Sequence, residues 1–338
     1  MVASRRNRIT IPFLPNSRLV FTLPLGMKIL MGWIKLYGTL TIAGGTTSGT
    51  VYGEGGPVNL IKRIKVTAVP LSGSRYPGGD IVDATPRALL RFATIYRNGK
   101  FFGDQAGVTL NNGATGTYPV QTFIPIYWHD RRKRQSAIAA LNTDGPGSTT
   151  VGGTYASLQV EVVTGDLTSC FTGNDRTPTS SFNLNCDWID NRAAIDGDTV
   201  VRYQEDHTFL VPAPLERALD QSMPNDGAFE SWTVLEEQGA QATLASTILQ
   251  RLQVSSPDGD YDKYKTDILE DMLDGAYIDP STNAAGMNHF DWTYGIAQNR
   301  LMANTLQTWF QVLNPSGANL DALRIFTRRL VAPLPGNS

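Results

Sequence analysis

Residues 33–42 alternate: Ile34, Leu36, Leu40 and Ile42 are apolar, while Lys35, Tyr37, Thr39 and Thr41 lie between them. Side chains two apart share one face of a strand, whereas a helix repeats every three or four residues. This pattern buries one face only as a strand. The same alternation recurs at Leu158, Val160 and Val162 against Gln159 and Glu161, at Leu306, Thr308, Phe310 and Val312, and through Val120 to Ile126. Further strands are predicted at 8–13, 18–25, 60–68, 199–204, 207–211, 228–235, 243–254 and 322–331, with Gly, Pro, Asn and Asp clusters between them. Many short strands without regular intervening helices predict an all-β chain of antiparallel sandwiches or barrels.

Two segments depart from this period. Thr85-Pro86 is an N-cap followed by Pro at the first helical position, and Leu89, Phe92 and Tyr96 continue one apolar stripe up to Asn98-Gly99. A second helix is predicted from Asp260 or Asp262, with Tyr264, Ile268 and Met272 on one face and Gly275 as its stop. These helices expose a repeat. Leu60-Ile61-Lys62-Arg63-Ile64-Lys65-Val66 precedes the first, and Ile248-Leu249-Gln250-Arg251-Leu252-Gln253-Val254 precedes the second, 188 residues later. The windows agree in apolar or polar class throughout. Each leads through a turn into a helix, then a Gly-containing loop and an aromatic-rich strand, around Tyr118–Trp128 and around His289–Tyr294. Two similar domains follow, 1–195 and 196–338. The stretches 44–57, 98–116, 135–155 and 166–198, rich in Gly, Ser, Thr, Asn or Asp, read as flexible insertions at the surface.

The chemistry of the chain is sparse. Its two cysteines, Cys170 and Cys186, exclude a disulfide-stapled scaffold, a four-Cys zinc site and an iron–sulfur cluster, and read as unpaired thiols. The three histidines, His129, His207 and His289, show no metal-ligand spacing, and neither a G-x-S-x-G elbow nor a phosphate-binding loop occurs. No enzyme and no cofactor are expected. Asp258, Asp260 and Asp262 offer oxygen ligands suited to a structural Ca²⁺, but Lys263 and Leu269 break the EF-hand pattern, so helix capping is the preferred role. Asp187, Asp190, Asp196 and Asp198 read as a solvated linker near the domain junction. His289-Phe290-Asp291-Trp292 reads as core or interface.

Basic residues gather at Arg131, Arg132, Lys133 and Arg134 and at the N-terminal Arg5, Arg6 and Arg8. The first run suits a solvated loop or a salt-bridging interface, or contact with nucleic-acid phosphates or anionic lipid. The second suits an arm reaching genome, membrane or a neighbouring subunit, and equally an ordinary frayed terminus. The formal net charge of -2 conceals an asymmetry: residues 1–195 carry 20 Lys+Arg and 11 Asp+Glu, net +9, and residues 196–338 carry 9 and 20, net -11. Such a molecule is suited to meeting copies of itself head to tail.

Gly32-Trp33-Ile34-Lys35-Leu36-Tyr37-Gly38-Thr39-Leu40-Thr41 and Asn59-Leu60-Ile61-Lys62-Arg63-Ile64-Lys65-Val66, with the helix after each repeat window, resemble the double-jelly-roll major capsid proteins of tailless icosahedral viruses, the adenovirus hexon and tectivirus lineage, and most nearly its small bacteriophage members. The resemblance implies two tandem eight-stranded antiparallel jelly rolls, each with one short helix. It implies a homotrimer of pseudo-hexagonal outline that tiles a virion shell, with neighbouring capsomers, penton and minor proteins as partners. Such a protein is made in the host cytoplasm. An inner membrane or the genome is the expected partner of the Arg5/Arg6/Arg8 arm. The second reading is a two-domain carbohydrate-binding β-sandwich protein (a fibre, lectin or glycan-degrading module) with Trp33, Trp128, Trp292 and Trp309 as exposed sugar platforms.

Overall fold

A computed structural model of the chain describes residues 5–45, 49–51, 57–72, 74, 76–96, 108–110, 115–128, 141–143, 155–171, 175–191, 201–211, 217–221, 227–238, 243–244, 248–256, 259–264, 286–291, 301–302, 307–312 and 321–331. The chain divides into two compact units. The first comprises Met1–Ala93, Phe101–Val201 and Pro333–Ser338, and the second Thr94–Lys100 and Arg202–Ala332.

Eight principal strands build the first unit: β1 (Arg5–Pro12), β2 (Arg18–Leu23), β3 (Lys28–Gly44), β4 (Ile61–Pro70), β5 (Gly79–Ala84), β6 (Gly116–Tyr127), β7 (Tyr155–Thr164) and β8 (Arg176–Asn191). They form two antiparallel sheets, ordered β1-β8-β3-β6 and β5-β4-β7-β2. The partners 1·8, 2·7, 3·6 and 4·5 are the rungs of one long hairpin. Rolling that hairpin drops successive rungs into alternate sheets, which is the topology of a jelly roll.

The second unit repeats the roll with β9 (Val201–Val211), β10 (Arg217–Gln221), β11 (Ala228–Gln238), β12 (Leu249–Ser256), β13 (Gly259–Tyr264), β14 (Met287–Asp291), β15 (Gln307–Val312) and β16 (Asp321–Val331). Its sheets are ordered β9-β16-β11-β14 and β13-β12-β15-β10. Adding eight to each label of the first unit reproduces these orders. The repeat windows fall on the matching strands β4 and β12, and the aromatic strands that follow fall on the matching pair β6 and β14.

The alternation explains the cores. Ile34, Leu36, Leu40 and Ile42 of β3 meet Leu184 and Cys186 of β8 and Ile124 of β6 on the inward face, and Phe21, Val66, Leu158 and Val162 line the opposing sheet; all are buried. Helix α1 (Pro86–Tyr96) is the one α-helix among the described residues. Thr85 caps it as expected, its hydroxyl accepting from the Ala88 N–H at 3.4 Å. Its described positions from Ala88 to Thr94 are all buried, so it shows more than the single stripe expected.

Three expectations need correction. The supposed insertion 166–198 contains β8, a strand inserted between β1 and β3. Its inward Phe182, Leu184, Cys186 and Trp188 alternate, but Thr, Ser, Asn and Asp between them mimic a loop. The predicted start of the second helix is strand β13, with Asp260 opposite Ser255 and Asp262 opposite Gln253 in the β12 ladder. Capping side chains also occur in strands, and here a paired neighbour was available. The continuation 265–285 lies outside the described residues, as does Asp258. Finally, the insertions 44–57 and 98–116 contribute a small ribbon, Gly49–Val51 against Val108–Leu110.

Candidate assembly surface

The basic N-terminal residues do not form a free arm from Arg5 onward, because Arg5–Pro12 is strand β1, in register with β8 from Arg5↔Asp190 to Pro12↔Asn183. Arg8 and Arg6 converge on Asp187. Arg8 Nε donates to Oδ1 at 2.7 Å, and Arg6 Nη2 donates to Oδ2 at 2.6 Å. The Arg6 guanidinium also lies 4.9 Å from the Trp33 ring centroid, a cation–π contact. Asp187 is therefore a buried counter-ion and not part of a solvated linker; its side chain is 0% exposed, while those of Arg6 and Arg8 are 57% and 46% exposed. Asp190 lies at the end of the same strand, and Asp196 and Asp198 lie outside the described residues. So does the run Arg131–Arg134.

Burial alone would raise the Asp187 pKa. Hydrogen bonds from Arg8 and Arg6, and their charge, outweigh that and hold it below the ordinary value of 3.8. A depressed carboxylate contributes stability that is present above the ordinary value and lost as pH falls through the native one. Melting followed from pH 5 downward is therefore expected to steepen below about pH 4, and Asp187→Asn is expected to flatten that limb. At neutral pH the same substitution should cost roughly 1–3 kcal/mol, less than a fully buried pair because both guanidiniums still reach water. An unchanged acid limb in Asp187→Asn would remove the cluster from this role.

Both outward faces of the first unit are now definable. On β5-β4-β7-β2, Arg18 pairs with Glu161 at 2.5 Å, Arg63 with Asp83 at 2.5 Å, and Lys65 with Asp80 at 3.1 Å. On β1-β8-β3-β6, the registers set Asn183, Tyr37 and Gln121 in one row and Ser181 beside Thr39 in the next. Arg6, Arg8 and Lys35 sit toward one end of that face.

Several acids of the second unit are paired within it. Arg202 pairs with Glu230 at 2.5 Å, Arg329 with Glu205 at 3.0 Å, and Arg324 bridges Glu237 at 2.9 Å and Asp206 at 3.0 Å. Glu236 is wholly buried and accepts from the N–H groups of Ile248 and Leu249 at 2.7 and 2.9 Å and from Asn288 Nδ2 at 2.9 Å. Ile248 and Leu249 lead into β12, so Glu236 points across the barrel to the facing sheet. His289, 6% exposed, bonds through Nδ1 to the Thr233 hydroxyl at 3.0 Å, as a packed residue does. Recounted by compact unit, the first carries 18 Lys+Arg and 13 Asp+Glu, net +5, and the second 11 and 18, net -7. The asymmetry survives but is smaller than a cut at 195 suggests.

Among the described residues no group of three or more His, Cys, Asp or Glu is placed to hold a metal ion. Both cysteines are buried and free; burial pushes Cys170 up to about 12 and raises Cys186 further. Trp33 and Trp128 are 5% and 1% exposed, which removes two of the four tryptophans needed for a sugar platform. Trp292 and the Trp309 side chain lie outside the described set.

No family model matches the sequence, and no curated protein matches it. Solved structures do. The chain matches the STIV MCP with a TM-score of 0.70 at 11% identity, over 98% of this chain and 97% of that one. It matches the major capsid protein of bacteriophage PM2 at 0.51 and 7%, over 98% and 100%. It matches the PBCV-1 virus capsid at 0.53 and 10%, over 98% and 94%. With identities this low and coverage nearly complete, what the chain shares with these viral capsid proteins is the fold, and that fold is the double jelly roll derived above from strand order.

Proposed function

We propose that the chain is the major capsid protein of a tailless icosahedral virus, a bacteriophage, and acts by assembly and not by catalysis. The observation that carries this is the whole-length agreement of both jelly rolls with viral capsid proteins. Two rolls in one chain make a homotrimer pseudo-hexagonal, with six rolls around its axis, a shape that tiles a shell. The unequal charge of the two units favours alternation around that ring, because opposite fields orient association and like fields oppose it. Neighbouring capsomers, penton and minor capsid proteins are its partners in the virion, after synthesis in the host cytoplasm. Arg5 and the run Arg131–Arg134 are its candidates for contact with an inner membrane, the genome or an adjacent subunit.

Light scattering on the purified protein tests the central claim. A stable particle of three times 36.9 kDa is expected. A monomer at every concentration, or binding to glycan arrays by a monomer, would defeat it.

A further inference from the structure

Strand β1 is held differently from the rest of its roll. It ends its sheet, paired with β8 alone among the described residues. From Arg6 to Pro12 no residue of it is buried, whereas each of the other seven principal strands of the unit buries at least three. Its two inward apolar residues, Ile9 and Ile11, lie opposite Cys186 and Leu184 and are themselves only half-buried. A segment with so few buried apolar contacts belongs to the low end of a protein's range of local opening free energies.

What fastens β1 beyond its ladder sits on its outward face. Arg8 and Arg6 share Asp187, and the Thr10 hydroxyl donates to Asn185 Oδ1 at 2.8 Å. The chain just after it is tied down in another way. The Phe13 N–H donates to the Phe182 carbonyl at 3.2 Å, and the buried Phe13 ring meets Phe182 edge to face, 5.5 Å between centroids. Thr164 Oγ1 donates to the Leu14 carbonyl at 2.5 Å, and the Asn16 N–H to the Gly165 carbonyl at 3.1 Å. An ionic fastening therefore precedes Phe13, and an apolar, hydrogen-bonded anchor begins with it.

We propose that β1 is a latch: Arg5–Pro12 swings as a unit about the Phe13 anchor, with Asp187 as its catch, while the rest of the first roll stays folded. Opening frees the segment that carries Arg5, Arg6 and Arg8, so the basic arm expected from the sequence and the strand in the structure are two states of one segment. Opening also uncovers Cys186, which loses Ile9 and keeps Ile34 as its cross-strand neighbour. The latch belongs to the single chain and does not depend on the assembly reading.

The two native thiols report the latch. Cys186 lies under β1, and Cys170 lies in the short turn Leu167–Cys170 on the anchored side; both are buried. Each is made the sole thiol, by Cys170→Ser or Cys186→Ser, and its rate of reaction with methyl methanethiosulfonate is measured at neutral pH without denaturant. Arg8→Gln, and separately Asp187→Asn, should speed labelling of Cys186 by about tenfold or more. Cys170 labelling and the circular-dichroism spectrum should stay those of the parent. Equal acceleration of both thiols means that the whole roll opens, and it overturns the latch, as does an unchanged Cys186. Acceleration in Asp187→Asn alone also overturns it, because that variant removes a negative charge beside the thiol, whereas Arg8→Gln retains it. Should neither variant fold, the parent supplies the measurement. Raising NaCl from about 0.05 M to about 1 M should speed Cys186 relative to Cys170, since both guanidiniums reach water and are open to screening. An unchanged ratio would sink the proposal.

Discussion

Glu236→Ala is expected to unfold the second jelly roll under conditions where the parent is native. The carboxylate is wholly buried and takes two backbone N–H groups and one amide N–H. Its removal strands all three donors in a dry core. Each orphaned donor costs about 1–3 kcal/mol, and a cavity adds to that. A loss of about 3–5 kcal/mol is a large part of the 5–15 kcal/mol that holds a typical domain. Glu236→Gln retains one acceptor but turns an NH₂ toward donors, so its loss should fall between the parent and Glu236→Ala. Urea unfolding monitored by tryptophan fluorescence checks this, since Trp232 lies on the same strand and is fully buried. A midpoint shifted by less than about 1 kcal/mol in Glu236→Ala would show that the stranded N–H groups find other partners.

The second large effect belongs to Gly38. It lies mid-strand in β3 with φ +147°, between β8 and β6. A Cβ there would collide with the Ser181 carbonyl oxygen and approach the Phe182 Cα to 2.9 Å. Both obstacles are backbone, which no rotamer change relieves. Gly38→Ala must therefore part β3 from β8 or abandon its backbone angle, at a cost on the order of 3 kcal/mol. Gly32→Ala, six residues earlier in the same strand, is the control. Its added methyl would meet the Asp187 carbonyl oxygen and Trp128 at 3.4 Å, an ordinary contact, and should cost less than about 1 kcal/mol. Equal melting temperatures for the two variants would refute the close approach.

The alternation that made β3 legible is the signature of an inward apolar face beneath an outward polar one. It failed at β8 because Asn185 and Asp187 are buried on the polar side, covered by Thr10, Arg8 and Arg6 from the adjacent strand. No local pattern announces a carboxylate whose partners lie 179 and 181 residues away. The same is true of Glu236, whose role depends on N–H groups of the facing sheet. The repeat was legible because β4 and β12 are matched strands with similar apolar spacing. Strand β13 was misread because its acidic residues resemble a cap, and only the ladder with β12 distinguishes the two. The charged runs could be seen in sequence; their distribution over faces could not, because register decides which residues become neighbours.

The rungs 1·8, 2·7, 3·6 and 4·5 also set an order of events during folding. The innermost rung joins strands close in sequence, and each further rung closes a longer loop, up to β1 with β8 across nearly the whole first unit. Loop-closure entropy favours β4·β5 as the start, with zipping outward and slow overall kinetics. On the ribosome, β1 remains an unpaired edge until residue 191 has emerged, and such edges invite aggregation. The first roll can nonetheless close before most of the second has been synthesised, so its ion-paired opening strand is sealed before its sister roll begins to form.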